Sequence, residues 1–553
     1  MKKLVAMLLS VLMLLSLVSL SGCGQKAEKE EDASPITIWQ LSDEAQSYTD
    51  YNSNPIALFI EDKFGIDLSF QLPAAGGEAD SFSLMVSTGD FTDVISLGNY
   101  ANVTAQQLYD DGYIYDLAPY IEQYMPNYTA YLNANPQYRA AITTEDGHIF
   151  GVVTAEDISD VLMWGGLVYR RDILDTMTGG NVVFPSGNAE PTTVADWEYM
   201  LALYQQYFEA AGMAEYACLI LPYQGVFQTG EIVSGFGVGS SHQYVMNGEV
   251  KFGVQEQGYY NYLKKMAEWY GKGWIYPDFA SRVNDVFYMP NTSLTYGNGA
   301  GIWFGGTWQL GDAMSMPDYG LYYDVQPLAT PLDTENGITE SHALLNWTNF
   351  TTDSGMAVTT KCSEAKMIKY LQAMDYFFSE EGAMIRSYGL PAEYAKDNAT
   401  MTMLGLEDGT WSYNASGEPE FNACVLTDEG GLLPTMEELY GIRFPGIAEH
   451  DLINQFSSEI VIKADEVWTH CGRDWCYPAE ITLTAEQQSV LQKYGTGIND
   501  VITEYTVKFI TGQLELNEST LADFQSKLEA VGINELKSVY VDAYSDFLTK
   551  ISK

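Results

Sequence analysis

The chain has 553 residues, 46% of them hydrophobic, a length that exceeds what one hydrophobic core usually organises and suits two large lobes. Its 74 acidic residues outnumber 27 basic ones, which gives a formal net charge of −47. Because such a charge repels nucleic acid and anionic lipid surfaces, we expect no nucleic-acid partner, and a polyanionic ligand is disfavoured.

Residues 1–22 have the pattern of an export signal. A positive end at residues 2–3 precedes an almost wholly apolar stretch at 4–20, and the small residues Ser21 and Gly22 stand before Cys23. The apolar stretch is short for a membrane-spanning helix. Residues 20–23 resemble the lipobox of bacterial lipoproteins, which implies that Cys23 becomes the first mature residue and carries the lipid, such as palmitate. We therefore expect an extracytoplasmic protein whose lipid anchor alone holds it to the cell membrane.

The segment 23–34 is predicted to be a flexible tether. It is mostly charged and polar, and it lacks the large apolar side chains that would stabilise an ordered structure. The folded body is therefore expected to begin at about residue 35.

The region after the tether alternates between strand and helix patterns. Strand, helix, strand, helix and strand are predicted in that order at residues 36–39, 54–64, 66–70, 82–86 and 94–97. This order implies a doubly wound α/β unit with parallel strands. Ligands of such sheets bind beyond the carboxyl ends of the strands, so Trp39, Asn99 and Tyr100 are predicted to lie at a cleft.

Helices dominate the later parts of the chain. Thr193 with Asp196 predicts a capped helix start, and so does Thr484 with Gln487. Apolar residues at helical spacing between residues 484 and 547 predict a helical C-terminal region.

Several sequence blocks resemble, in the same order, the extracellular solute-binding lipoproteins that serve oligosaccharide ABC importers, the larger relatives of maltose-binding protein. The blocks are Leu84–Ile95, Asp111–Leu117, Tyr124–Asn127, Asp146–Gly151, Tyr169–Asp175, Pro191–Thr193, Glu256–Tyr259, Trp269–Gly273, Pro277–Phe279, Glu380–Gly382 and Phe509–Gly512. In the first block, Phe91 and Thr92 stand where Leu-Pro is usual. The order of the blocks extends over nearly the whole mature chain.

The resemblance implies a type II periplasmic-binding-protein-like α/β fold, with two discontinuous lobes joined by a hinge. We expect lobe 1 at 35–155 with a return at about 355–390, and lobe 2 at 156–354 with a return at about 391–553. The implied function is non-enzymatic: a monomer captures a carbohydrate, expected to be an oligosaccharide, by hinge closure and delivers it to ABC permease subunits.

Trp308 is the main predicted ligand contact. Sugars present hydroxyls at the ring edge and weakly polar C–H groups on the ring faces, so their sites need flat aromatic rings beside polar groups. The segment 306–308 resembles a Gly-x-Trp stretch in maltose-binding relatives whose tryptophan stacks on a sugar, which implies that role for Trp308. Burial of Trp308 in the core is the alternative.

Other candidate ligand contacts come from the chain's expected crossing points and from further aromatic residues. They are Glu156, Asp157, Trp164 and Trp347, each of which has a purely structural alternative. Residues 389–394 read Gly-Leu-Pro-Ala-Glu-Tyr where the family has Gly-Ile-Glu-Gly-x-x-Tyr. The glutamate has no match at its usual place, but Tyr394 falls where the family tyrosine stands, which implies a ligand role for it.

Three other functions stay open: a surface glycoside hydrolase, a two-lobed binder of peptides or other solutes, and a sensor or adhesin with the same lobes but no permease partner. The sequence contains no nucleophile elbow, zinc-binding helix, phosphate-binding loop or EF-hand loop, so we expect no catalytic residues, no metal and no cofactor. Cys471 and Cys476 are close enough in sequence to form a local disulfide.

Overall fold

The computed structural model describes residues 34–41, 51–74, 76–98, 100, 103–156, 162–221, 232–281, 292–342, 355–426, 444–469 and 475–552. The signal-like segment, Cys23 and nearly all of the predicted tether lie outside these ranges. Cys471 also lies outside them, so its pairing with Cys476 stays a prediction. Across the described ranges, no helix combines the length and the apolar character that crossing a bilayer requires.

Strands and helices alternate through the first half of the chain, and helices prevail towards its end. The strands are β1 Ile36–Trp39, β2 Leu68–Gln71, β3 Val94–Ser96, β4 Ala155–Glu156, β5 Gly165–Arg170, β6 Ala217–Leu219, β7 Gln243–Met246, β8 Glu249–Phe252, β9 Ala300–Gly306, β10 Val325–Pro327, β11 Met356–Val358, β12 Trp411–Tyr413, β13 Pro419–Phe421 and β14 Ile447–Ala448.

The helices are α1 Pro55–Phe64, α2 Glu78–Thr88, α3 Ala105–Asp110, α4 Ala118–Tyr124, α5 Pro126–Ala134, α6 Pro136–Ile142, α7 Arg171–Thr178, α8 Val194–Ala210, α9 Gln257–Gly271, α10 Thr292–Thr295, α11 Glu364–Asp375, α12 Glu380–Tyr388, α13 Ala392–Ala395, α14 Ala399–Leu404, α15 Asp451–Asn454, α16 Glu459–Thr469, α17 Ala485–Ile510, α18 Glu518–Ala530 and α19 Ile533–Ile551. The predicted strand and helix order of residues 36–97 is confirmed.

Local sequence explains where these helices begin and end. Asn54 begins α1 because its side-chain oxygen accepts the backbone N–H groups of Ile56 and Ala57. Gly65 ends the same helix with a φ of 60°, a backbone conformation that glycine adopts without a steric penalty. The predicted capping boxes at Thr193 and Thr484 are both present, at the starts of α8 and α17.

The first lobe is built on a sheet with the strand order β11-β3-β1-β2. β1 pairs in parallel with both β2 and β3, as the α/β pattern predicts, because helices carry the chain back between these strands. β11 adds to the sheet antiparallel to β3, with Met356 opposite Ser96.

The second lobe is built on a sheet with the strand order β10-β5-β9-β6. β9 lies between β6, which is parallel to it, and β5, which is antiparallel to it with Gly165 opposite Gly306. All residues of β9 are buried, so this strand runs through the middle of the lobe.

Each sheet has its own apolar core. The first core collects Ile38, Phe59 and Tyr128 with Trp411, and the second collects side chains such as Trp197 from α8 and Trp269 from α9. This division agrees with the predicted two-lobed α/β architecture.

The described contacts place the return to the first lobe further along the chain than the expected end at about residue 390. Phe421 and Leu452 lie in the first apolar core although the sequence analysis assigned 391–553 to the second lobe. The physical reason is the β12–β13 hairpin, which packs its apolar face on α12: the Trp411 ring N–H donates to the carbonyl of Gly389 at 2.7 Å. The chain re-enters the second lobe at α16, whose Trp468 belongs to the same apolar cluster as Trp303.

The chain passes between the lobes at segments that lie side by side. β1 to β4 belong to the first lobe, β5 to β10 to the second, and β11 to the first again. The chain leaves the first lobe again only after α15, since Leu452 still lies in the first apolar core. β14 pairs in parallel with β4, so that Ile447 lies opposite Ala155 and Ala448 opposite Glu156. Paired crossing strands of this kind form a narrow connection about which two lobes can rotate.

The C-terminal helices also join the lobes. α17 and α19 pack on each other, and α17 packs on α9 of the second lobe, while α19 also contacts α6 of the first lobe. Near this contact the Thr482 hydroxyl donates to the carbonyl of Ala141 in α6 at 3.3 Å. The two lobes therefore touch at a surface that is separate in sequence from the crossing strands.

Candidate ligand-binding site

The crossing segments mark one edge of each sheet, which we call its cleft edge. In the first lobe β1 and β3 end at this edge and β11 begins there, directly after a crossing. In the second lobe β6 and β9 end at it and β5 begins there, again after a crossing. The carboxyl ends of the parallel strands in both lobes thus point towards the junction, which is where ligands of open α/β sheets bind.

Trp308 lies directly at the cleft edge of the second lobe. It occupies a short 3₁₀ turn, Thr307–Gln309, that follows the last residue of β9. Its side chain is 52% exposed, which is unusual for a tryptophan, so the core alternative does not describe its surroundings. The exposed face is available to a ligand, while its role as a ligand contact stays a prediction.

Gln309 fixes the turn that carries Trp308. Its side chain is fully buried, and Oε1 accepts the ring N–H of Trp303 at 3.2 Å and the backbone N–H of Gly306 at 3.3 Å. A buried amide whose acceptor is satisfied twice is costly to rearrange, so it holds the backbone in one conformation. Sequence reasoning assigned no role to Gln309, because such a role depends on donors that only the folded chain brings to it.

Trp164 stacks on Trp308. The ring centroids lie 6.0 Å apart and the ring planes differ by 6°, the offset parallel arrangement that aromatic pairs favour. Phe304 packs its edge on Trp164 with 5.9 Å between centroids. The structure thus joins two of the predicted ligand contacts into one aromatic platform, defined here as Trp164 and Trp308.

Two hydrogen bonds donated by backbone N–H groups support the platform. The backbone N–H of Thr307 donates to the carbonyl of Trp164 at 2.8 Å, and the backbone N–H of Met163 donates to the Asp465 carboxylate at 2.8 Å. Because Asp465 belongs to α16, this hydrogen bond connects the platform to the helix at which the chain re-enters the second lobe.

The cleft edge of the first lobe presents Tyr100 in front of Trp39. Trp39 is buried, with its ring N–H donating to the Ser81 hydroxyl at 3.1 Å. The Tyr100 ring meets it edge-on at 5.3 Å between centroids and is itself half-buried. Of these two predicted contacts, the structure places Tyr100 nearer the surface and Trp39 behind it in the core, where it supports Tyr100.

Burial raises the pKa of the Tyr100 hydroxyl above its ordinary value, and the hydrogen bond between that hydroxyl and Ser96 opposes the rise only in part. The hydroxyl is therefore neutral throughout the physiological range. A neutral phenol can both donate and accept a hydrogen bond, which suits a sugar hydroxyl as a partner.

Tyr394 lies among helices of the first lobe. Its ring packs on Phe59 at 4.7 Å between centroids, Lys63 Nζ lies 5.4 Å from the ring centroid, and its hydroxyl donates to the Glu381 carboxylate at 2.9 Å. The hydrogen bond to Glu381 raises the pKa of Tyr394 to about 12. These contacts hold the ring against α1 and α12, so the structure does not bring Tyr394 together with the platform.

The remaining predicted contacts lie partly or wholly outside the described residues. Glu156 pairs with Ala448 in the crossing strands. Asn99, Asp157 and Trp347 are not among the described residues. Within the described ranges, no group of three or more histidine, cysteine, aspartate or glutamate side chains is arranged to hold a metal ion.

Comparison with known proteins extends these observations. No protein-family model matches the chain. The fructooligosaccharide ABC transporter substrate-binding protein FusA of Streptococcus pneumoniae is 32% identical over 82 residues, which is 15% of this chain and 15% of that protein. This match covers too little of either protein to carry function.

Solved structures match over almost the whole chain. A human-milk-oligosaccharide (HMO) binding, ABC-transporter-associated solute-binding protein from Bifidobacterium longum infantis aligns with a TM-score of 0.63 and 15% identity, covering 94% of this chain and 100% of that one. FusA of S. pneumoniae in complex with kestose gives 0.60 and 16%, covering 93% and 100%. The alginate-binding protein AlgQ2 without calcium gives 0.58 and 19%, covering 93% and 98%. The chain therefore has the two-lobed fold of ABC-transporter solute-binding proteins.

Proposed function

We propose that this protein is the extracytoplasmic solute-binding component of an ABC importer, that it captures an oligosaccharide between its lobes, and that it delivers this ligand to permease subunits. The observation that carries the proposal is the aromatic platform. An exposed tryptophan ring, stacked on a second tryptophan and placed where the chain crosses between lobes, offers a flat apolar surface to the C–H face of a sugar ring.

The fold supplies the mechanism for retention and release. A ligand that contacts the platform in the second lobe and Tyr100 in the first lobe binds more tightly when the lobes are closed, so it shifts the population towards the closed state. The paired crossing strands β4 and β14 provide the connection about which the lobes rotate. Release then follows when the permease favours the open state.

Neutral oligosaccharides are the preferred ligand class. The matched structures include proteins whose names specify fructooligosaccharide, HMO and alginate ligands. Alginate is a polyanion, and the net charge of −47 on this chain disfavours polyanionic ligands. We therefore expect kestose-like or milk-type neutral sugars to bind more tightly than uronate oligomers of equal length.

The export signal completes the proposal. Lipidation of Cys23 would hold the protein at the outer face of the cell membrane, and residues 23–34 would let the folded body reach the permease. This part of the proposal rests on the sequence alone.

A thermal-shift panel tests the proposed function. The soluble body, beginning after Cys23, is heated with kestose, neutral milk oligosaccharides, alginate oligomers or short peptides. A ligand present at 100 times its dissociation constant should stabilise the fold by about 2.7 kcal/mol through mass action. The proposal is supported if a neutral oligosaccharide stabilises the fold and the sugar itself is not shortened during the experiment. Stabilisation by peptides alone, or steady release of shorter sugars, would contradict it.

A further inference from the structure

A similar short motif occurs at the cleft edge of both lobes, at the last residue of β9 and two residues beyond β3. β3 and β9 each lie between a parallel neighbour and an antiparallel strand that enters directly from a crossing. Each leads at the cleft edge into a glycine that is followed two residues later by an aromatic side chain. The pairs are Gly98 with Tyr100 in the first lobe and Gly306 with Trp308 in the second.

In the second lobe the indole ring of Trp308 lies flat against the glycine. A Cβ atom built on Gly306 would be 2.5 Å from Cη2 and Cζ2 of Trp308, and the third nearest atom belongs to the same ring. The backbone at Gly306 is ordinary, with φ −94° and ψ 162°, which any residue adopts. The ring, and not the backbone, is therefore what requires a glycine at this position.

The first lobe shows the same relation. A Cβ atom built on Gly98 would be 2.6 Å from Cε2 and Cζ of Tyr100 and 2.8 Å from its hydroxyl oxygen. Gly98 does not have the positive φ that favours glycine. Tyr100 thus folds back over Gly98 as Trp308 folds back over Gly306.

Rings also face glycines in the protein core, but those rings are held by their surroundings. Trp468 lies over Gly166 and Tyr204 over Gly301, and both rings are buried on all sides. Trp308 is 52% exposed, so the glycine beneath it and Trp164 beside it are its principal supports.

We propose that Gly98 and Gly306 are positioning residues of the binding site, each holding one aromatic ring at the cleft edge of its lobe before ligand arrives. The inference rests on the proposed function, because it assigns these rings to a sugar ligand. Holding the rings in place beforehand removes the cost of ordering them on binding, and so favours affinity without adding a contact. The two lobes then offer one fixed ring each, which favours a ligand long enough to touch both.

A double-mutant cycle between Gly306→Ala and Trp308→Ala tests the second lobe. The three atoms nearest to the added methyl group all belong to the Trp308 ring, so its effect should largely disappear once the ring is absent. Gly306→Ala should change the near-UV circular dichroism towards that of Trp308→Ala and weaken binding of kestose about tenfold, as expected when a stacking ring is displaced. In the Trp308→Ala background it should change neither reading.

Gly271→Ala is the matched control, since a Cβ atom there finds open space at the end of α9. It should change neither the spectrum nor the affinity. The corresponding cycle of Gly98→Ala with Tyr100→Ala tests the first lobe, with unfolding in urea as a check that each variant is folded.

The outcomes separate this inference from the proposed function. Wild-type spectrum and affinity in Gly306→Ala, or equal losses in both backgrounds, would overturn the role of Gly306. If the wild type binds neither kestose nor any other sugar, the proposed function fails, and the spectroscopic cycle still decides whether the glycine positions the ring. Coupling between the two substitutions in the spectrum supports the inference, and additivity overturns it.

Discussion

Replacement of Trp308 by alanine separates ligand contact from structural support. The change removes the exposed ring of the platform while Gln309, which fixes the turn, keeps its hydrogen bonds to Trp303 and Gly306. The backbone at the cleft edge should therefore stay in place. The expected result is a large loss of affinity with a small loss of stability.

The two magnitudes follow from the surroundings of the ring. Trp308 is 52% exposed and its chief ring contact is the stack on Trp164, so truncation should cost about 0.5–1.5 kcal/mol of unfolding free energy. A tryptophan enclosed in the core would cost about 3–5 kcal/mol. Stacking on a ligand ring is worth about 1–3 kcal/mol by analogy with nucleobases, which is about a ten- to hundredfold change in dissociation constant.

Isothermal titration calorimetry with the sugar that stabilises the wild type most, together with urea unfolding, measures both quantities. Tyr322→Ala is the matched control: this tyrosine is 68% exposed in the same lobe but precedes β10, whose first residue pairs with the last residue of β5, away from the cleft edge. It should leave affinity unchanged. Unchanged affinity in Trp308→Ala combined with a stability loss of about 3 kcal/mol would refute the platform as a ligand contact.

Three further predictions concern anchoring and stability. Cys23→Ala should abolish incorporation of labelled palmitate in cells, and a variant that is still labelled would contradict the lipobox interpretation. Burial alone would raise the pKa of Asp196, but backbone hydrogen bonds outweigh it and hold that pKa below the ordinary 3.8. Its carboxylate therefore stabilises the fold above about pH 4 and loses this contribution as the pH falls through the lower folded-state pKa, so the stability difference between wild type and Asp196→Asn in urea unfolding should shrink in acid. Lys366→Met should cost about 3–5 kcal/mol in the same assay, because it leaves the buried carboxylate of Asp93, 3.4 Å from the lysine Nζ, without its charge partner. Pairing it with Asp93→Asn should recover part of that loss.

Local signals in the sequence predicted the starts and ends of helices well, because each of these boundaries has a local physical cause. The helix start at Asn54 and its end at Gly65 depend on groups a few residues apart, and so does the capping box at Thr193. Parallel pairing of β1 with β2 and β3 followed from the intervening helices. The antiparallel addition of β11 depends on a strand more than 250 residues away in sequence from β3, which periodicity cannot detect.

The same distinction holds for the site. The prediction of Trp308 as a ligand contact rests on a local Gly-x-Trp context, which a sequence shows directly. The stack of Trp308 on Trp164 joins residues far apart in the sequence, and so does the hydrogen bond that the Met163 N–H donates to Asp465. The lobe boundary was misplaced for a related reason: the β12–β13 hairpin has no strong periodicity, and only its packing on α12 assigns it to the first lobe.

The contact between α19 and α6 gives the C-terminus a part in setting affinity from a distance. If the lobes rotate about the crossing strands as proposed, this contact must slide or separate, so its strength enters the balance between unliganded open and closed forms. When only a fraction of molecules is competent to close, the apparent dissociation constant is the intrinsic one divided by that fraction. Substitutions along α19 would then tune how tightly a solute is retained while every residue that touches it stays the same. Retention at low nutrient supply and easy release to a transporter are opposing demands. A contact surface remote from the ligand lets the balance between them change without altering which ligand is recognised.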